Sequence, residues 1–283
     1  MKDLKNKLVL LLAFLNISII IYLIIIVNTL PKIKTQDFYP TNDVTILDSN
    51  NNLINHLPTF KSDITYEEIP QNVINALIST EDEAFFIHNG INPKRIIKAI
   101  LTDIKSHYAK EGASTITQQV AKNFLLSSEL SYTRKIKEAI LARRIDKAFS
   151  KEHILELYLN EIYLGNRAYG VAAAAMNYFG KSLDDLTLDE IAYLAALPKG
   201  PNNYNPKTKY DAAVARRNWV ISRMVEDGYA DEKEAEEAKK RPLTVVERKS
   251  GFLKDTEYYS EEVRRTISRN FGDEALYQGG LIV

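Results

Sequence analysis

The chain contains no cysteine. Disulfides, thiolate metal sites and cysteine nucleophiles are therefore excluded. Its four histidines are scattered, which argues against a zinc site. Net charge is absent as well, with 37 Lys plus Arg set against 37 Asp plus Glu. Bulk attraction to nucleic acid or to an acidic partner finds no support, so local patches must carry any electrostatic role. The sequence has no internal repeat. What it does have is 283 residues, 45% of them apolar, enough for a real core in one large domain or two small ones.

Charge is also missing from one long stretch. Met1 to Lys7 carries Lys2, Lys5 and Lys7, and Leu8 to Leu30 then runs 23 residues without a charge. As a helix this is roughly 34 Å long, against a hydrocarbon core of about 30 Å. A secretory signal would have a shorter apolar region and a small-residue cleavage site. Here Asn28, Thr29, Leu30 and Pro31 follow, so the stretch reads as an uncleaved anchor. The three lysines favour a cytoplasmic N-terminus, an argument that Lys32 and Lys34 weaken without reversing.

Beyond the anchor, 31–60 reads as an extended linker. Val44 and Ile46 alternate, and Ser49-Asn50-Asn51-Asn52 is a turn. From Pro70 the pattern is helix after helix. Pro93–Ile104 follows an Asn-Pro start signal. Ser114–Leu126 and Thr133–Phe149 come next. Ser150 caps a helix bearing Ile154, Leu155, Tyr158, Leu159 and Ile162. Gly170–Phe179 stops at Gly180, and Thr187 with Glu190 forms a capping box for a helix closed by Pro198. Ala212–Glu226 and Glu232–Lys239 follow, and Leu243–Val246 is strand-like. The fold class is mainly α, with minor β at the edges. The expected organisation is a cytoplasmic stub (1–7), a transmembrane anchor (8–30), a linker (31–60), a catalytic-type domain (61–240) and a C-terminal linker (241–283).

Three constellations stand out. In Glu81-Asp82-Glu83-Ala84-Phe85-Phe86-Ile87-His88-Asn89-Gly90, the first acid continues the apolar stripe Ile74, Leu77, Ile78 and leads to Phe85. Burying a carboxylate is costly, so an acid on such a stripe is either a paired helix end or a working group. In Gly112-Ala113-Ser114-Thr115-Ile116-Thr117-Gln118-Gln119, hydroxyl residues open a helix whose free N–H groups attract anions. Ser114, Gln118 and Lys122 repeat there at spacing four, opposite Ile116, Val120 and Phe124. The bland alternative is a well-capped surface helix. In Arg134-Lys135-Ile136-Lys137-Glu138, Glu138 shares a stripe with Leu141, Ile145 and Phe149, so a second acid continues an apolar face beside two cations. The bland alternative is an i, i+4 pair worth tenths of a kcal/mol. Arg143, Arg144 and Lys147 read as a solvated or headgroup-facing flank. Asn160 reads as a structural hydrogen-bonder and His88 as a support for its loop.

Taken in order, these segments resemble the family 51 glycosyltransferases, the peptidoglycan polymerases. Glu81-Asp82 with Phe85, His88 and Gly90 fits the first family motif. Gly112 with Ser114-Thr115-Ile116-Thr117-Gln118-Gln119 fits the second, and Arg134-Lys135 with Glu138 the third. Tyr158-Leu159-Asn160 fits the fourth. Leu194-Ala195-Ala196-Leu197-Pro198 with Asn205-Pro206 fits the last. The resemblance covers roughly Ile64 to Tyr229. The anchor and the tail around Gly279-Gly280-Leu281 look like the class A penicillin-binding proteins, in which a transpeptidase domain would follow. No Ser-x-x-Lys nucleophile motif occurs in the extracytoplasmic part of this chain.

The resemblance implies a lysozyme-like all-α domain with a small membrane-touching lobe, for which Pro93–Ile104 is the candidate. It implies transfer of a lipid-linked glycan to lipid II, with inversion, at the outer face of the cytoplasmic (inner) membrane. Glu81 is implied as general base, Arg134 and Lys135 as partners of the departing pyrophosphate, and Glu138 as the residue orienting them. Ser114, Gln118 and Lys122 are implied to line the donor side. No cofactor is required. A divalent cation, magnesium or manganese, is possible at the pyrophosphate, although no metal-ligand spacing demands one. The implied partners are lipid II, the growing glycan, the membrane and other cell-wall synthesis proteins, with no nucleic acid. Two other readings stay open at this point: a glycan hydrolase using the two acids, and a non-catalytic membrane-anchored scaffold.

Overall fold

The computed structural model describes residues 2–34, 38, 44–47, 53–57, 64–106, 112–126, 131–166, 168–246, 266–267 and 269–270. In chain order the helices are α1 (Lys2–Thr29), α2 (Gln71–Glu81), α3 (Pro93–Ser106), α4 (Ile116–Leu125), α5 (Tyr132–Ala148), α6 (Lys151–Glu161), α7 (Val171–Phe179), α8 (Leu188–Ala196), α9 (Tyr210–Glu226) and α10 (Glu232–Lys240). The strands β1 (Val44–Leu47) and β2 (Leu53–Leu57) pair antiparallel, Val44 opposite Leu57. The chain is thus mainly α with one small hairpin among the described residues, as the helical periodicities imply. The turn expected at 49–52 and the glycine-rich tail lie outside the described residues.

Two compact units divide the chain. The first comprises Met1–Asp37 and His88–Ser150, and the second Phe38–Ile87 and Lys151–Val283.

In the first unit α1 carries an apolar segment, Val9–Thr29, long enough to cross a membrane, and nearly all of it is exposed. Its C-terminal end is tied to α5. The Tyr22 and Thr133 hydroxyls lie 2.7 Å apart. Arg144 donates to the carbonyls of Val27 (3.0 Å) and Pro31 (3.1 Å), a helix end's otherwise open acceptors. Thr115 caps α4, accepting from the Gln118 N–H at 3.1 Å, while the Gln118 side chain accepts from the Thr115 N–H at 3.0 Å. The helix therefore starts two residues later than the hydroxyl run suggested, and Ser114 precedes it. Gly90 sits at φ +80°, and a Cβ there would run into the Ala142 carbonyl of α5. Its own carbonyl accepts from the Thr115 hydroxyl at 2.7 Å. Only a glycine permits that approach, and it pins the 88–92 loop to both α4 and α5.

In the second unit α8 is the buried axis, with Ile191 to Leu197 all inside. A helix apolar on every side belongs in a core. α2, α7, α9 and α10 pack against it. The expected Thr187–Glu190 capping box is present, and Gly180 ends α7 in the left-handed conformation. Buried Arg217 of α9 donates to the Lys239 (3.0 Å) and Arg241 (2.8 Å) carbonyls, closing the end of α10. Leu243–Val246 is not a strand. One backbone bond, Val246 N–H to the Tyr178 carbonyl at 2.8 Å, holds it against the end of α7, and no strand among the described residues offers it a ladder.

Candidate active site

The candidate residues fall on both units, and each group has its own geometry. On the first unit, α5 begins at Ser131, whose hydroxyl accepts from the Arg134 N–H at 3.0 Å. One turn on, Glu138 is 1% exposed, on the same stripe as buried Leu141 and Ile145. Its Oε1 lies 3.0 Å from Arg134 Nε and its Oε2 2.5 Å from Lys135 Nζ. The Arg134 contact is an ion pair, and Oε1 accepts no hydrogen bond among the described residues. Lys135 Nζ also donates to Ser114 Oγ at 3.1 Å, which joins the approach to α4 with the first turns of α5. The Arg134 side chain is 11% exposed and that of Lys135 is 51% exposed. The result is a buried carboxylate holding two cations, one of them open to solvent.

Gln118 is buried with its Oε1 committed to the cap, while Lys122 is exposed. Ser114, Arg134, Lys135 and Glu138 are therefore brought into contact, whereas the Gln118 side chain turns to its cap and Lys122 to solvent. The spacing-four alignment does not separate polar from apolar here, since the buried face of α4 runs from Ile116 through Gln118 to Ala121. Thr117 Oγ1 is buried there and accepts no hydrogen bond from the described residues.

On the second unit, Ile74, Leu77, Ile78 and Phe85 are buried as their stripe implies. Glu81 ends α2 and is half-buried. Asp82 is the buried acid, 1% exposed; its N–H donates to the Ile78 carbonyl, and its own carbonyl accepts from the Phe85 N–H. Glu83 is exposed and pairs with Arg223 at 3.0 Å. Lys151 lies over the Phe85 ring at 4.7 Å.

Tyr158 of α6 is buried, and its hydroxyl has no hydrogen-bond partner among the described residues. Burial first, then the negative charges of Glu81 and Asp82, hold that phenol well above its ordinary range. Arg216 of α9 stacks on Trp219 at 3.9 Å. Burial pushes its guanidinium below the ordinary value, while Tyr204 and Glu81 act the other way. Asp82, Tyr158 and Arg216 are thus the groups around Glu81; the sequence places the first two in motifs without giving them a role, and it does not single out Arg216. Arg216 leaves only one signal, an Arg three residues before a Trp on one helix. Asn160 is structural, its amide bridging the backbone N–H (3.1 Å) and carbonyl (2.8 Å) of Ile64.

No three His, Cys, Asp or Glu cluster among the described residues, and both Glu138 oxygens already face a cation.

A family model described as transglycosylase matches residues 50–225. The chain is 42% identical over 269 residues to penicillin-binding protein 1A of Aquifex aeolicus, covering 94% of this chain and 37% of that protein. It is 45% identical to penicillin-binding protein 1A of Escherichia coli, covering 76% of this chain and 25% of that protein. A crystal structure of penicillin-binding protein 1A from Haemophilus influenzae aligns over 87% of this chain and 27% of that one, with 29% identity and a TM-score of 0.47. The chain therefore spans between 25% and 37% of the length of these curated relatives. With more than half of its length matched by the family model, the chain belongs to the transglycosylase family.

Proposed function

We propose that this protein is a peptidoglycan glycosyltransferase that polymerises lipid II at the outer face of the cytoplasmic membrane, anchored by α1 with its N-terminus inside. The observation that carries this reading is the Glu138 cluster. A buried carboxylate holds Arg134 and Lys135 beside Ser114, and Lys135 remains open to solvent. Fixed cations suit a departing pyrophosphate, whereas cleavage of a neutral glycosidic bond needs none.

In the proposed reaction the 4-hydroxyl oxygen of acceptor lipid II bonds to the anomeric carbon of the lipid-linked glycan, with inversion. The bond from that carbon to the pyrophosphate oxygen breaks. Glu81 takes the hydroxyl proton, its place at the end of an apolar stripe suiting a carboxylate that works as a base. Undecaprenyl pyrophosphate leaves as an anion whose charge Lys135 and Arg134 offset. Glu138 fixes those cations in place, and Ser114, Gln118 and Lys122 line the donor side. The proposed reaction requires no cofactor, and a divalent cation arriving with the pyrophosphate would add to the neutralisation of its charge. Because both substrates carry lipid tails, the α1 tether raises the local encounter rate.

The test is polymerisation of lipid II by the full chain and by Glu81→Gln. Loss of at least about a hundredfold in rate is expected for the variant. Full activity in Glu81→Gln would remove Glu81 as the base. Digestion of finished peptidoglycan by the wild type would favour a hydrolase, and a wild type that makes no glycan would favour a scaffold.

A further inference from the structure

A second polar feature of the first unit takes no part in the proposed reaction. A cleft of about 600 Å³ is lined by Asn89, Ile140, Arg143, Arg144, Asp146 and Lys147. No residue of the Glu138 cluster lines it. Ile140, Arg143, Arg144 and Lys147 repeat at i, i+3, i+4 and i+7, one face of α5. Glu138, Leu141 and Ile145 occupy the buried face instead. Three cations meet one carboxylate, and Arg143 and Lys147 are exposed. The Gly90 contact with Ala142 carries Asn89 to the cleft wall.

The height of this cleft is set by Arg144. Its guanidinium donates to the carbonyls of Val27 and Pro31, where the apolar segment Val9–Thr29 ends. Lys32 and Lys34 follow immediately and are exposed. If α1 crosses the bilayer, the cleft stands where lipid phosphates stand.

We propose that this cleft binds the phosphate headgroup of an anionic phospholipid of the surrounding membrane. Arg143 and Lys147 supply the charge, Asn89 an amide, and Ile140 an apolar wall toward the acyl region. Asp146 leaves the cleft with a net positive charge of two. Arg144 couples the bound lipid to the end of the anchor. The proposal rests on α1 spanning the membrane, but not on the transfer reaction.

The test uses the full chain in phosphatidylcholine bilayers containing a minority of phosphatidylglycerol, with spin-labelled versions of each lipid. The protein should immobilise phosphatidylglycerol in preference to phosphatidylcholine. Arg143→Gln/Lys147→Gln, which leaves the anchor contact intact, should weaken that preference about tenfold or more, since two basic residues leave a headgroup surface. Its melting temperature and its lipid II polymerisation should match the wild type. Absence of preference in the wild type, or its persistence in the double variant, would overturn the proposal. Displacement of the labelled lipid by soluble glycerol 3-phosphate would also overturn it, making the cleft a free-phosphate site. A wild type that selects phosphatidylglycerol but makes no glycan would uphold this inference while removing the proposed function.

Discussion

Glu138→Gln keeps the shape of the side chain and removes its charge. In the native protein that charge faces Arg134 and Lys135, and Glu138 itself is 1% exposed. The two cations do not suffer equally. Lys135 has a half-exposed side chain and can turn to water, whereas Arg134 is largely enclosed. Removing one partner of a fully buried pair costs about 3–5 kcal/mol, and an exposed pair is worth under about 1 kcal/mol. With one enclosed partner and one wet one, the expected cost is about 2–3 kcal/mol. That corresponds to a fall of roughly 5–10 °C in melting temperature for a protein of this size. Arg134→Gln in the same background removes the stranded cation. The double variant should then lose less than the sum of the singles by about 1–2 kcal/mol. Thermal melts of the four proteins in one detergent measure the cycle. Lys135→Gln gives the complementary outcome, a lost transfer rate with little change in melting. A Glu138→Gln protein that melts within a degree of wild type, or a strictly additive double variant, would refute the reasoning.

Three further outcomes are expected. Gly90→Ala places a side chain at φ +80° and drives its Cβ into the Ala142 carbonyl, so it should cost more than about 3 kcal/mol; Gly112→Ala, which meets nothing within 4 Å, is the control, and equal melts would deny the wedge. Tyr158→Phe removes a hydroxyl with no partner among the described residues, so stability near neutral pH should hardly change. Because the folded phenol is raised above its ordinary value of 10.0, its stabilising share is complete below about pH 10 and is lost as pH rises further, by about 1.4 kcal/mol per pH unit. Alkaline melts of the Phe variant should therefore fall less steeply than wild type, and parallel curves would count against the burial argument. Ile97 and Leu101 of α3 are 59% and 55% exposed, among exposed Lys94 and Lys98. An Ile97→Ser/Leu101→Ser protein should melt normally yet lose several-fold in activity on bilayer-embedded lipid II but not on detergent-dispersed lipid II; an equal loss in both would deny a membrane-touching role.

Features legible in the sequence and features hidden from it differ in range. Caps and periodicity act within a few residues. The Thr187–Glu190 box, the glycine stop at Gly180 and the stripe carrying Glu138 are therefore readable from neighbouring residues alone. Leu243–Val246 is no strand because four β-prone residues do not say whether a partner strand exists, and its neighbour is the carbonyl end of a helix. Asp82 and Glu81 differ by one residue, so no local pattern could tell which acid the packing would enclose. The structure buries Asp82 and leaves Glu81 partly open. That ordering suits the proposed roles. A group that must exchange a proton with a substrate hydroxyl needs access, while its buried neighbour can act only through its charge. Arg144 is the longest-range case. Read as one cation in a basic flank, it reaches 117 residues back to the Val27 carbonyl at the end of the anchor. The helix that carries the Glu138 cluster is thereby tied to the helix that would sit in the bilayer. Under the proposed function the substrates would stay in the membrane, and this contact would hold the cation pair at a fixed height above it.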